Sequence, residues 1–183
     1  MINTKENETR ILLILGVATA IMLFVLARID LNLQTSQAPN GIVSFELAGS
    51  FTRTEAILNS WNTKAKLYAA LSLGIDYLFL ILYSTFLFFV LKKVSQNMLS
   101  YSQGVSKTGI YIALLQLLAG IFDAFENYFL LRLLFGSNCE GFSIAAFIFA
   151  SSKFLIIILG LIYTITILIL NKFKRTAPHN NPD

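Results

Sequence analysis

Between Ile110 and Phe135 the chain reads IYIALLQLLAGIFDAFENYFLLRLLF. The run is long enough to cross a bilayer, which takes about 20 apolar residues. Hydrocarbon offers no partner to an open backbone, so such a segment has to be a helix. Yet Asp123, Glu126 and Asn127 sit near its middle. At about 100° per residue, Gln116, Gly120, Asp123 and Asn127 fall in one narrow arc, and Glu126 lies about 60° to one side. One face of an otherwise apolar helix is therefore polar, and it has to turn away from lipid. Arg132 points almost opposite to Asp123, close enough to the helix end to snorkel toward headgroups.

Working outward, three more runs have the same length and character, at about 11–31, 67–91 and 143–170. The composition agrees. The 183 residues are 56% hydrophobic and 13% charged, with a mean hydropathy of +0.69. That is more apolar surface than a soluble domain of this length can cover. The expected fold is all-α, a four-helix transmembrane bundle forming a single membrane domain over 11–173. In the first run, "ATA" at Ala18–Ala20 resembles a signal-peptidase site. The apolar residues continue to Ala27, too far for an h-region, so the run reads as an uncleaved span.

Lysine and arginine placement orients the chain. Lys92, Lys93 and Lys107 lie between the second and third spans, and Lys172, Lys174 and Arg175 follow the fourth. With Lys5 and Arg10, they put both termini (1–10 and 174–183) in the cytoplasm. The loop 32–66 and the short "GSNCEG" at Gly136–Gly141 then face outward. In the long loop "APNG" at Ala38–Gly41 signals a turn. Thr52 and Glu55 fit a capping box for a helix starting near Arg53. Ile57, Leu58 and Trp61 would share one face of this short amphipathic helix on the outer surface, with Trp61 suited to the headgroup layer.

Several function classes fall away. Cys139 is the lone cysteine, which excludes an internal disulfide and a paired-thiol redox centre. The lone histidine, His179, lies in the tail "TAPHNNPD", so no haem or histidine metal site belongs to the spans. No metal or cofactor is expected. The net charge of +4 is made by residues flanking the spans, which points to membrane lipid and not to nucleic acid.

The other spans carry charges too. Asp76 shares a helix face with Ser72 and Tyr83. Lys153 shares one with Ala146, Ala150, Gly160 and Thr164, a small-residue face of the kind that packs inward. The threading puts Asp76, Asp123, Glu126 and Lys153 at one depth, roughly 13 to 18 Å from the outer surface at 1.5 Å per residue. A charge at that depth costs at least about 2.5 to 3.5 kcal/mol when it faces lipid, so these groups should face one another.

Asp123, Glu126 and Lys153 are the candidate catalytic residues. In an enzyme, Asp123 or Glu126 would be general acid or base, and Lys153 would hold the partner carboxylate ionised or bind an anion. Asp76, Asn127, Tyr83 and Gln116 are the candidate ligand-binding residues. The expected function is an intramembrane site for a lipid-like or small amphipathic ligand, or a proton relay. The competing expectation is a structural or assembly subunit whose polar stripe pairs with a partner helix or with a second copy of the chain, as a homo-oligomer.

At "FELAGS", "LGIDYLF" and "DAFEN" the chain resembles small bacterial four-span integral membrane proteins of no assigned activity. The resemblance covers most of the chain and implies a bacterial inner membrane. It brings no catalytic residue and no substrate with it.

Overall fold

The structure, a computed structural model, describes residues 4–97 and 103–176. The tail with His179 lies outside the described residues, and so do the side chains of Lys5, Lys172, Lys174 and Arg175. Among the described residues there are six helices and no strand: α1 (Thr4–Asp30), α2 (Ile42–Glu46), α3 (Phe51–Ser60), α4 (Thr63–Asn97), α5 (Gln103–Leu134) and α6 (Glu140–Thr176). Four of them, α1, α4, α5 and α6, are long and apolar enough to cross a membrane. Their outward surfaces are covered with leucine, isoleucine and phenylalanine, as lipid requires.

The bundle is held by three helix pairs, α1 on α4, α4 on α5 and α5 on α6. Between α4 and α5 the chains come close at Gly120, where an added Cβ would meet Ser84 Oγ at 2.8 Å. Between α5 and α6, Phe122, Phe125 and Phe129 surround the ring of Phe149, with centroids 5.5 to 5.9 Å away. Helix α1 is peripheral. Its most apolar window contains no buried residue, and α1 does not pack extensively on α6.

The segment between α1 and α4 is more than one surface helix. It contains two short helices that close one end of the bundle, with Phe45, Ile57 and Trp61 buried against α4, α5 and α6. Each such side chain contributes about 1.5–3 kcal/mol by leaving water. Two expectations are corrected here. The N-cap of α3 is Ser50, whose Oγ accepts from the Arg53 N–H at 3.4 Å, and Thr52 is already inside the helix. Ser50 has the extended backbone an N-cap needs (φ −142°), and arginine stands at the position where a capping box requires Glu or Gln. Trp61 is only 3% exposed. Its indole N–H donates to the Leu33 carbonyl at 2.8 Å, so it is a core anchor and does not face headgroups.

Candidate functional site

The polar face of α5 turns inward and meets α6. Lys153 Nζ lies 2.7 Å from Asp123 Oδ1 and 2.8 Å from Glu126 Oε2. Lys153 is buried because its face of α6 is lined by Ala146, Ala150 and Gly160, small enough to let the helices close around its stem. From α4, the Tyr83 hydroxyl donates to Asp123 Oδ2 at 2.9 Å. One turn along α5, the Asn127 amide donates to Asp76 Oδ2 at 2.6 Å. Thus Tyr83, Asp123, Glu126 and Lys153 form one bonded group, and Asp76 with Asn127 forms a second one turn away, the two spanning three helices.

The remaining candidate, Gln116, stands apart from both. Seven residues separate it from Asp123, about 10 Å along the helix. Its amide donates to the carbonyls of Ile112 and Ile156 at 3.2 and 3.1 Å, so it pins α5 to α6 and does not join the cluster.

Two members were not singled out in the sequence. Glu46, the last residue of α2, reaches down from the segment between α1 and α4 and places Oε2 3.7 Å from Lys153. Burial raises its pKa above the ordinary value of 4.5, and the Lys153 ammonium offsets this only in part. Asp30 ends α1. Its Oδ1 accepts from the Ile42 N–H at 2.6 Å and so takes over the capping of α2, whose own N-cap residue, Gly41, has no side chain to offer. The signal for Glu46 was present as a lone acid in the apolar string "IVSFELA". Periodicity cannot report that a loop folds back into the bundle.

Beside the cluster lies a cavity of about 480 Å³. Its polar side includes Asp30, Glu46, Asp76, Asp123, Asn127 and Lys153, together with the hydroxyls of Thr19, Ser72 and Tyr83. The rest of its wall is largely apolar side chains, such as Leu23 and Leu26 of α1, Phe79 and Phe86 of α4, and Phe154 and Ile157 of α6. A cavity of this size and make-up is of the kind that holds a small ligand by an apolar body and a few directed polar contacts.

Chemically, the lysine is surrounded by acids. Asp123, Glu126 and Glu46 face one ammonium, and Oε1 of Glu126 has no hydrogen-bond partner. Among the described residues no group of histidine, cysteine and acidic side chains is arranged to hold a metal ion. Comparison with protein-family models, with curated proteins and with solved structures finds no match.

Proposed function

We propose that the protein binds a lipid-like or small amphipathic molecule inside the membrane, with its polar head at the Asp76–Asp123–Asn127–Lys153 cluster and its apolar body along α1, α4 and α6. The observation that carries this reading is the cavity itself. Asp76, Asp123 and Lys153 face the interior of a single chain around a space of about 480 Å³. Residues serving only to pair the chain with a partner helix would face outward, with no cavity behind them. Lateral access from the bilayer is supported by the arrangement of the walls. Helices α1 and α6 both line the cavity, yet they do not pack extensively on each other.

The distribution of lysine and arginine supports an inner-membrane placement with both termini in the cytoplasm. The α2–α3 segment then covers the outward end of the bundle.

Native mass spectrometry of the purified protein tests the reading. The wild type is expected to carry a bound lipid or small amphiphile into the gas phase. Asp123→Asn keeps the side-chain shape and is expected to fold but to lose that species. A wild type that releases from its micelle without any bound molecule, or an Asp123→Asn protein with the same bound complement, would overturn it.

A further inference from the structure

The ligand's charge can be read from which groups of the site are already occupied. Among the described residues lining the cavity, Lys153 is the only cation. Its ammonium is in contact with Asp123 and Glu126, at 2.7 and 2.8 Å. Two further donors of the cluster are also committed. Tyr83 donates to Asp123, and Asn127 donates to Asp76. A phosphate or carboxylate head would have to break one of these bonds before it could form its own.

The acceptors are in the opposite condition. Asp76 gives Oδ2 to Asn127, and no basic group among the described residues pairs with it. Asp30 gives Oδ1 to the backbone of α2 and likewise has no ion-pair partner. Glu46 is 8% exposed and lines the cavity, and its Oε2 has only the 3.7 Å contact with Lys153 and no hydrogen bond. Four carboxyls therefore line a space that holds one ammonium, itself engaged. Carboxylates outnumbering their counter-ions in an apolar setting are unfavourable, and a cation delivered among them relieves that.

Resting on the amphiphile reading above, we infer that the ligand is a cationic amphiphile. Its ammonium group would sit between Asp76, Glu46 and Asp30, and its chain would lie along Leu23, Phe79 and Phe154. The arrangement discriminates by design against anionic lipid, the most abundant charged class a membrane offers. Crowded acceptors repel an anionic head, and the donors left for it are uncharged hydroxyls such as that of Thr19.

The probes are three chains of equal length with different heads: tetradecylamine, tetradecanol and tetradecyl phosphate. Binding to the full-length protein in a neutral detergent is measured by displacement of a radiolabelled amine at about pH 7, where the amine is protonated. Tetradecylamine is expected to bind about tenfold or more tightly than either other chain. Asp76→Asn still accepts from Asn127 through its amide oxygen, so its fold is preserved. It is expected to weaken the amine about tenfold and leave tetradecanol unchanged. Asp76→Glu restores the charge and is expected to recover part of the loss. If tetradecanol or tetradecyl phosphate binds as tightly as the amine, the cationic assignment is overturned while the amphiphile site stands. If none of the three binds and no lipid co-purifies, the site reading itself fails.

Discussion

At the scale of single residues, Lys153 is the group on which the interior depends. It lies 2.7 Å from Asp123 and 2.8 Å from Glu126 while being only 6% exposed. Replacing it with Met keeps the stem and deletes the charge, which strands two buried carboxyls. Breaking a buried pair from one side costs about 3–5 kcal/mol. Arg132 offers a contrast in the same bundle. It is exposed, and its guanidinium rests over the Phe142 ring at 5.7 Å. Arg132→Met is expected to change stability by about 0.5 kcal/mol or less. Parallel thermal unfolding of the two variants in detergent checks this, and equal shifts would contradict it. Lys153 and its acids were legible in the sequence because charge inside an apolar run is rare and has few places to go. Glu46 was not, because its membership depends on a tertiary contact across 107 positions of chain.

At the scale of elements, α2 is the piece that completes the site, and Gly41 is what allows it. Its backbone (φ 53°, ψ −125°) lies in a region that L side chains rarely adopt. A Cβ there would also run into the Asp30 carboxylate, the group that caps α2. Gly41→Ala is therefore expected to destabilise by about 1–3 kcal/mol and to loosen Glu46 from Lys153. Gly74 of α4 serves as the control, because a Cβ there meets nothing within 4 Å. Gly74→Ala is expected to leave the unfolding temperature unchanged or raised. A Gly41→Ala protein as stable as Gly74→Ala would remove the special role given to this turn. The long helices were readable from hydrophobic run length alone, since lipid imposes helix on any spanning segment. The short ones were read only in part. The helix at Phe51–Ser60 was anticipated but not its Ser50 cap, and α2 has too few residues for a periodic signal.

At the scale of the whole molecule, the α2–α3 cover, the cavity and the cation-seeking carboxylates have a direction only once the bundle is oriented in its membrane. The proposed orientation rests on Lys and Arg counts, and it makes a definite claim about Cys139. This lone cysteine is exposed in the turn between α5 and α6, so a single reagent reports a single site. That turn joins the ends of α5 and α6 that lie beside the α2–α3 segment, since Phe129 and Leu133 of α5 belong to the same packed core as Phe45 and Trp61. If both termini are cytoplasmic, the thiol and the cover face the opposite side together. A membrane-impermeant maleimide is then expected to label Cys139 on intact spheroplasts, and Cys139→Ser to abolish the signal. Labelling that requires lysis would reverse the bundle and put the covered end, with Glu46 and Asp30, on the cytoplasmic side. A cationic amphiphile approaching between α1 and α6 would then be drawn from the inner leaflet.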